Sequence, residues 1–448
     1  MKNHLIQNIF VLMIISIFGL TKAYSQADAA KVNAYEDLSL KDLLNVKIVS
    51  VSKESELLFD APLSASVVTR EEIRRTGCTS IMEALRLVPG MIVREQTRGN
   101  YDIYLRGMDN VPPNAPFEGN STTTLVMIDN RPIYNYLKGG TFWETLPVDL
   151  NDVEKIEVVR GPAAALYGPN AVSGVINIIT RQATNEGLYL VANSQQGSHK
   201  TFINNASLGY RLKKWSMIAS GNYQHRDRSQ TSYYEFFRND WFDQQPYSIG
   251  ILNDTVPTQT RDNPGLAMKK YAGNAFISFN PADEIRFTLS AGSQYSMVQK
   301  VSTENGVTPL STVVSDSRYT DIRANVKELS AQFAYIEGTQ SPIYPSNKYD
   351  FNTIDAIIEY NYIKGNLSLK PGLSYRSAVY DDTKYSDTIS KTGIFNARGK
   401  IITKTASLRG EYKLLNNQLR LVAGFAANQF NLPEKTYISY NLATTYKL

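Results

Sequence analysis

The residue types that most often perform catalysis or bind metals are scarce in this chain. It contains one cysteine, Cys78, and three histidines, at positions 4, 199 and 225. A single cysteine excludes a disulfide framework and a cysteine-based zinc site, and histidines so far apart indicate no shared metal site. His199 and His225 have the chemistry to ligate haem iron, but isolated histidines near loops usually do not. Because no Ser/His/Asp set or paired-carboxylate motif is evident, the sequence predicts a protein that is not an enzyme, with no metal and no cofactor.

One glycine-rich stretch, residues 161–174, has the composition of a phosphate-binding loop. It contains Gly161-Pro162, Tyr167, Gly168-Pro169 and Gly174. No Gly-Lys-Ser/Thr follows, and that is the part of such a loop that contacts phosphate and magnesium. The stretch therefore predicts tight chain reversals before a strand and not nucleotide binding.

Composition indicates the kind of fold that must position any site. The 448 residues carry 47 basic and 42 acidic side chains, a net charge of +5, which is too small a surplus to indicate nucleic-acid binding. The chain has 28 tyrosines and a mean hydropathy of −0.29. A polar, tyrosine-rich, cysteine-poor chain is typical of an outer-membrane β-barrel, whose outer wall is apolar and whose lumen is polar.

The N-terminus supports that compartment. Lys2 precedes an apolar run over 9–20, and small residues at Ala23 and Ser25 predict cleavage before Gln26. Residues 1–25 are therefore predicted to be a secretory signal peptide. A membrane anchor is the less favoured interpretation, because the run is shorter than the ~20 residues that cross a bilayer as a helix. Residues 26–52 follow as a flexible lead.

Residues 53–183 have the element pattern of a small α/β domain. Thr69 begins a short helix that Gly77 ends, and Ser80 caps a second helix over 81–87. Short apolar runs predict three strands, over 125–128, 153–159 and 174–180.

Residues 184–448 alternate apolar and polar side chains, which predicts strands with two different faces. About ten strands are predicted: 187–196, 201–211, 215–225, 271–280, 284–295, 350–362, 366–378, 400–413, 418–429 and 435–446. Short connections alternate with long ones at 226–270, 296–349 and 379–399, and 326–336 is a candidate extra strand within the second of these. Short turns at one end and long loops at the other are typical of an outer-membrane barrel.

Four segments of the α/β domain resemble the plug domain of TonB-dependent outer-membrane receptors: 58–93, 105–107, 124–133 and 153–181. The matching signature residues are Arg106, Gly107, Asp129, Glu157, Arg160, Gly161, Pro162, Tyr167, Gly168 and Gly174. Asn130 departs from the family pattern, which usually has glycine after the aspartate. Asparagine tolerates positive φ, so the turn is expected to survive.

The resemblance implies a membrane all-β fold: an antiparallel outer-membrane β-barrel of 22 strands with the small α/β plug inside its lumen. It implies TonB-dependent import of a scarce ligand, most often a ferric siderophore, with haem, cobalamin and oligosaccharide as alternative substrates. The implied partners are TonB with its inner-membrane energising complex, the small-molecule ligand and outer-membrane lipid, with no nucleic acid. An outer-membrane adhesion or structural barrel without active transport is the alternative function.

The family couples to TonB through a TonB box, which adds a strand to TonB and must be short, extended and carried on a flexible lead. The segment Val46-Lys47-Ile48-Val49-Ser50-Val51-Ser52 fits this description. The other interpretation is that the same segment is the first strand of the plug.

Candidate contacts with the barrel wall and with ligand follow from the same resemblance. Arg106 and Arg160 are interpreted either as ion pairs to barrel-wall carboxylates or as solvated plug arginines, and Glu157 as a structural salt bridge. Outward plug loops are expected over 95–101 and 111–121. The candidate ligand-binding residues there are Arg98, Asn100, Tyr101, Asn114 and Phe117, with simple loop solvation as the alternative.

Ten strands over 184–448 are too few to surround a plug, because a plugged lumen needs about 22. The sequence therefore predicts an apparently truncated barrel, the N-terminal part of a longer receptor.

Overall fold

The protein was analysed as a computed structural model. It describes residues 47–48, 50, 56–57, 63–107, 123–137, 139–168, 170–184, 186–229, 232–235, 239–243, 265–301, 310–341, 348–385 and 396–446. A small α/β domain is followed along the chain by a large antiparallel sheet. The signal peptide and the first part of the lead, residues 1–45, lie outside the described residues and stay predictions.

Two short helices of the α/β domain begin where the sequence predicts. Helix α1, Arg70–Thr76, starts at Thr69, whose side chain accepts a hydrogen bond from the Glu72 amide while the Glu72 carboxylate accepts one from the Thr69 amide. Gly77 ends this helix in the left-handed conformation. Helix α2, Ile81–Ala84, is capped by Ser80 and continues as one 3-10 turn, Leu85–Leu87. The predicted helices are confirmed, although the second is α-helical only over its first four residues.

We expect Thr69→Ala to lower the free energy of unfolding of the α/β domain by about 1 kcal/mol, because it removes the N-cap acceptor. Thr69→Ser keeps a hydroxyl and is the matched control. The measurement is the urea concentration at which the domain loses protease resistance in the full-length protein. Equal midpoints for both variants would contradict the capping role.

A five-stranded mixed sheet forms the centre of the domain, in the order β3-β8-β9-β6-β7. Its strands are β3 (Ser64–Thr69), β6 (Thr124–Ile128), β7 (Arg131–Pro132), β8 (Val153–Arg160) and β9 (Gly174–Thr180). Strands β6 and β9 are parallel, and the other neighbours are antiparallel. The three strands predicted from apolar runs are confirmed, and they are central because their side chains are buried.

Two hairpins and a further short helix complete the domain. The hairpins pair β1 (Lys47–Ile48) with β2 (Glu56–Leu57), and β4 (Met91–Thr97) with β5 (Asn100–Leu105). Helix α3, Ala164–Tyr167, follows β8, and a 3-10 turn spans Trp143–Thr145. Gly174 opens β9 at φ +158°, and a Cβ there would lie 2.2 Å from the Val159 carbonyl oxygen. Only glycine fits that close approach of two strands.

Within the described residues, the large sheet has 13 strands. Twelve of them pair antiparallel in chain order: β10 (Gly187–Gly197), β11 (Thr201–Leu212), β12 (Trp215–Asp227), β15 (Leu266–Ala282), β16 (Ile285–Val301), β17 (Leu310–Val326), β18 (Leu329–Ser341), β19 (Tyr349–Tyr360), β21 (Leu367–Asp381), β22 (Arg398–Leu414), β23 (Leu419–Asn431) and β24 (Glu434–Tyr446). The short strand β20, Tyr362–Lys364, pairs with β21, while β13 (Ser232–Glu235) and β14 (Asp240–Asp243) form a separate hairpin. The sheet is a partial barrel, and we call it the wall.

The predicted count of ten wall strands was wrong. The segment 296–349, predicted as a long loop with one candidate strand, contains β17 and β18 as a complete hairpin. The alternation of apolar and polar side chains is hard to recognise in β17 because both faces of the strand carry charge. Asp316 and Arg318 are exposed, while Asp321 is buried. At 17 residues it also exceeds the ~9–11 that cross a bilayer, so much of it needs no apolar face.

The wall has one apolar and one polar face, as the alternation predicts. Exposed apolar side chains include Leu190, Leu289, Ile322, Phe333, Ile358, Leu373, Leu408 and Phe425. Buried polar side chains on the opposite face include Asn222, Gln224, Lys270, Asn274, Gln294, Asp321, Asp355 and Arg409. In the described part of the chain, no helix has the length and apolarity that a membrane-spanning helix needs.

Candidate coupling site

The backbone and side chain of Ser50 are held by three side chains of the α/β domain. The Ser50 amide and hydroxyl both donate to Glu157 Oε2, at 2.8 and 2.6 Å. Asn177 Nδ2 donates to Ser50 Oγ at 3.0 Å, and the Tyr167 hydroxyl donates to the Ser50 carbonyl at 2.7 Å. We call Glu157, Tyr167 and Asn177 the Ser50 clamp. It satisfies the amide, the hydroxyl and the carbonyl of a residue that lies in the candidate TonB box.

The central strands place the clamp residues side by side. Glu157 of β8 and Asn177 of β9 are directly paired across the antiparallel ladder, so their side chains lie on one face of the sheet. Both residues are 0% exposed. Tyr167 ends helix α3, and Gly168 follows it with φ +90°. The glycine-rich stretch therefore reverses the chain, as predicted, and presents the tyrosine hydroxyl to Ser50.

An ion pair between the buried Glu157 and the partly exposed Lys155 supports the clamp. Lys155 Nζ lies 2.7 Å from Glu157 Oε1, so the two Glu157 oxygens are divided between the lysine and Ser50. A carboxylate removed from water needs such partners, because an unpaired buried charge is strongly unfavourable. The salt bridge predicted for Glu157 is therefore present.

An apolar anchor lies two residues before Ser50. Ile48 is 0% exposed and packs in a cluster with Leu125, Met127, Val159 and Val175. Full burial of such a side chain contributes about 1.5–3 kcal/mol. The segment is thus docked by one apolar and one polar residue, both on β1 or beside it. Val46, Val49, Val51 and Ser52 of the candidate box lie outside the described residues.

The Tyr167 hydroxyl acts as a stable hydrogen-bond donor. Burial raises the pKa of Tyr167 above its usual range, and the nearby Glu157 carboxylate raises it further. The phenol therefore stays protonated at physiological pH, and its bond to the Ser50 carbonyl does not depend on pH there.

The turn between β6 and β7 joins the clamp to the wall. Asp129 accepts from the Thr180 amide and hydroxyl at 2.9 and 2.6 Å, and Arg323 of β17 lies 3.6 Å from its carboxylate. Gln332 of β18 donates to the Asp129 carbonyl at 3.4 Å. Asn130, the next residue, contacts Asn177 of the clamp.

A second group of contacts fastens the loop after β7 to the wall. Asn135 Nδ2 donates to the Tyr349 hydroxyl at 3.0 Å, and the Tyr136 amide donates to the Tyr380 hydroxyl at 2.7 Å. The guanidinium of Arg376 lies over the Tyr136 ring, 5.1 Å from its centroid. This part of the α/β domain is therefore held independently of the clamp.

A cavity of about 730 Å³ separates the α/β domain from part of the wall. It is lined by Asp129 and Tyr167 on one side and by Arg323, Glu359 and Arg376 on the other. The volume is in the range of small-molecule sites. The cavity therefore reaches both the clamp and the turn that joins the clamp to the wall.

Wall ion pairs were one of the two interpretations of the signature arginines, and in the part of the chain that the structure describes neither Arg106 nor Arg160 makes one. Arg160 donates to the carbonyls of Pro89 and Ala65, both at 3.2 Å, within its own domain. Arg106 has φ +58° and its guanidinium packs beside Gly161. Arg160 therefore connects two segments of its own domain.

The segment 95–101, predicted as an outward loop, is the tip of the β4–β5 hairpin. Asn100 and Tyr101 are buried, and Tyr101 belongs to the main apolar core. Arg98 donates to Thr201 Oγ1 at 2.8 Å and so contacts the wall. The ligand-binding roles of Arg98, Asn100 and Tyr101 stay predictions. Asn114 and Phe117 lie outside the described residues.

The sequence analysis missed Asn177 and a buried carboxylate pair. Asn177 was detectable as the one polar residue inside the apolar run 174–179. The pair is Asp149 and Asp152, both buried, with the Asp149 amide donating to Asp152 Oδ2 at 3.4 Å. Asn274 of the wall donates to the same Asp152 oxygen at 3.3 Å. Across the described residues, no cluster of histidine, cysteine or carboxylate side chains has metal-binding geometry.

Burial, with the neighbouring Asp152 carboxylate, raises the pKa of Asp149 from 3.8 to about 7. The Asn151 amide and Lys270 on the wall oppose this shift but do not cancel it. The folded protein thus holds a proton that the unfolded chain releases between about pH 4 and about pH 7.

Stability is therefore expected to fall as pH rises through that window. Asp149→Asn removes the ionisation, so we expect its unfolding midpoint in urea to change less between about pH 5 and about pH 8 than that of the parent. Asp283→Asn, in the exposed turn between β15 and β16, is the control. An unchanged slope in Asp149→Asn would contradict the assignment.

Comparison with known proteins identifies the α/β domain. Residues 58–175 match the family described as the TonB-dependent Receptor Plug Domain. The vitamin B12 transporter BtuB of Vibrio vulnificus is 32% identical over 135 residues, covering 30% of this chain and 20% of the relative. The ferric enterobactin receptor of Pseudomonas aeruginosa is 33% identical over 184 residues, covering 37% of this chain and 22% of the relative.

Solved structures extend the similarity to the wall. The siderophore receptor PirA of Pseudomonas aeruginosa superimposes with a TM-score of 0.56 at 19% identity, covering 86% of this chain and 61% of that one. The ferric enterobactin receptor PfeA from the same organism superimposes with a TM-score of 0.59 at 18% identity, covering 86% of this chain and 60% of that one. At this identity the similarity shows the fold alone.

The fold and the site together define a plug domain followed by part of its barrel. Residues 58–175 are a TonB-dependent receptor plug domain, and the strands that follow share the fold of the solved receptor barrels. It spans about a fifth of the length of the curated relatives given above and about 60% of the solved structures.

Proposed function

We propose that this protein imports a scarce small molecule across the outer membrane, energised by TonB. The observation that supports this most directly is the Ser50 clamp. It holds the candidate TonB box by four hydrogen bonds and one buried side chain. These contacts are noncovalent, so an applied force can release the segment without breaking the plug sheet itself.

In this mechanism, residues 46–52 are the TonB box. When the segment leaves the clamp, its backbone becomes available to pair with an edge strand of TonB. Force on the segment then acts first on Ser50 and next on Glu157 and Asn177, which lie on adjacent central strands. Residues 1–25 would be the signal peptide and 26–52 the lead. Residues 53–183 would form the plug and 184–448 the barrel.

A ferric siderophore is the ligand that we favour. Support comes from relatives and structural neighbours whose names specify ferric enterobactin, siderophores or iron-regulated outer-membrane proteins. Cobalamin is the second candidate, because other relatives are vitamin B12 transporters. Among the described candidate residues, Arg98 is best suited to an anionic ligand because its guanidinium carries a positive charge, although that group also donates to the Thr201 hydroxyl.

The proposal places the protein in the outer membrane of a Gram-negative bacterium and gives it no enzymatic role. Its partners would be TonB with its energising complex, the ligand and membrane lipid.

Uptake by cells carrying or lacking the natural gene tests the proposal. We expect gene loss to reduce uptake of radioactive iron from ferric enterobactin or of radioactive cyanocobalamin, and we expect a proton uncoupler to reduce it equally. Uptake of neither probe, or uptake that resists the uncoupler, would favour an adhesion or structural barrel instead. Uptake of ferric enterobactin would assign a siderophore as the ligand, and uptake of cyanocobalamin would assign a corrinoid.

A further inference from the structure

Asn130 follows Asp129 in the turn between β6 and β7, and it lies beside the clamp. It has φ +65°, a conformation that glycine adopts at least as readily as asparagine. The backbone therefore gives no reason for a side chain at this position. Its carboxamide must be explained by what it contacts.

Asn130 and Asn177 form a reciprocal pair of hydrogen bonds. The Asn130 amide donates to Asn177 Oδ1 at 3.1 Å, and Asn177 Nδ2 donates to Asn130 Oδ1 at 2.8 Å. The second hydrogen of Asn177 Nδ2 is directed to Ser50 Oγ, at 3.0 Å. Because a backbone amide can only donate, the first bond fixes which end of the Asn177 carboxamide is oxygen and which is nitrogen.

This arrangement gives the Asn130 side chain a specific task. Asn177 has one carboxamide with two donor hydrogens, and both have acceptors. With glycine at 130, one of those hydrogens loses its acceptor in a fully buried site. Asn177 Nδ2 then keeps a single hydrogen bond, the one to Ser50 Oγ. A buried donor without an acceptor is costly, so the side chain would reorient and lose its alignment with Ser50.

The wall also contributes to this alignment. The preceding residue, Asp129, is held by Arg323 and Gln332 of strands β17 and β18. The position of Asn130 is therefore set by the wall as well as by the plug sheet. A continuous line of contacts runs from the wall through Asn130 and Asn177 to Ser50.

We infer that Asn130 is a positioning residue that strengthens retention of the candidate TonB box, by orienting Asn177 toward Ser50. This deepens the proposed function, on which its significance for import rests. Retention itself can be measured without transport, ligand or TonB. The two proposals can therefore fail separately.

The test is the maleimide reactivity of Ile48→Cys in isolated outer membranes, in a Cys78→Ser background. Residue 48 is fully buried, so its reactivity reports release of the segment. We expect Asn130→Gly to raise the reaction rate about three- to tenfold, corresponding to the loss of one hydrogen bond. Asn130→Asp keeps an acceptor at this position, and we expect its rate to stay within about twofold of the parent.

A second reporter separates local release from general opening of the plug. Ile73 lies in helix α1 and is buried in the main core, a different apolar cluster from the one that contains Ile48, so Ile73→Cys is the second reporter. Asn130→Gly should leave its reactivity unchanged. The inference is overturned if Asn130→Gly leaves Ile48→Cys unreactive, if Asn130→Asp raises its rate as much as glycine does, or if Ile73→Cys accelerates equally. If retention falls as expected but deletion of 46–52 leaves uptake intact, the proposed coupling through 46–52 fails, while the role of Asn130 in retaining the segment stands.

Discussion

Deletion of residues 46–52 from the natural gene is expected to abolish energy-dependent uptake while the protein still binds its ligand at the cell surface. The deletion removes the candidate TonB box together with both anchors, Ile48 and Ser50. Without an extended segment to pair with TonB, no force reaches the plug. We expect ferric enterobactin or cyanocobalamin uptake to fall to the level of the gene-deletion strain, with surface binding of the same probe retained.

A deletion of equal length at residues 30–36 is the control, because it shortens the lead without touching the box or its anchors. We expect that variant to keep most of its uptake. Loss of the clamp alone is expected to loosen the plug and to let ligand leak through, which would raise uptake. A fall in uptake after deletion of 46–52 therefore cannot be attributed to plug opening. Normal uptake by the 46–52 variant would exclude this segment as the coupling element.

Glu157→Ala is expected to have the largest effect on the plug itself. Glu157 is fully buried and accepts two hydrogen bonds from Ser50 while pairing with Lys155 at 2.7 Å. Removing the carboxylate leaves the Ser50 amide and hydroxyl without their acceptor in a buried site, which costs about 1–3 kcal/mol per group, whereas the ammonium of Lys155, which is 22% exposed, regains water. We expect a much lower urea midpoint for the plug and strong maleimide reactivity of Ile48→Cys.

Glu157→Gln is the matched control for that substitution. Its carboxamide keeps the size of the side chain and one acceptor oxygen but lacks the charge, so we expect an intermediate midpoint. Equal midpoints for the alanine and glutamine variants would show that the charge, and not the acceptor, dominates. A parent-like midpoint for Glu157→Ala would contradict the clamp.

Local signals predicted the elements of the plug well. Thr69, Gly77 and Ser80 fix helix ends through caps that depend only on neighbouring residues. The run 174–180 is apolar enough to be recognised as a central strand. These features are encoded within a few residues, so the sequence contains them directly.

Features that depend on distant residues were missed or only partly anticipated. Ser50 and Glu157 are 107 positions apart in the chain, and their contact depends on the register of β8 against β9. The strands β17 and β18 were missed because charged residues occupy both faces of β17. The interpretation of 46–52 as either a TonB box or a first plug strand stays open in part. Residues 47 and 48 form a short strand, yet the segment docks through side chains that can release it.

Disulfide trapping in living cells tests whether residues 46–52 contact TonB during uptake. Val49→Cys, in the Cys78→Ser background, is combined with cysteines introduced along the periplasmic domain of the host's TonB. The account predicts an intermolecular disulfide at position 49 that increases when ferric enterobactin or cyanocobalamin is supplied. Arg86→Cys, exposed on the plug surface, should form none. An absence of adduct at position 49 during active uptake, or equal adducts at positions 49 and 86, would contradict it.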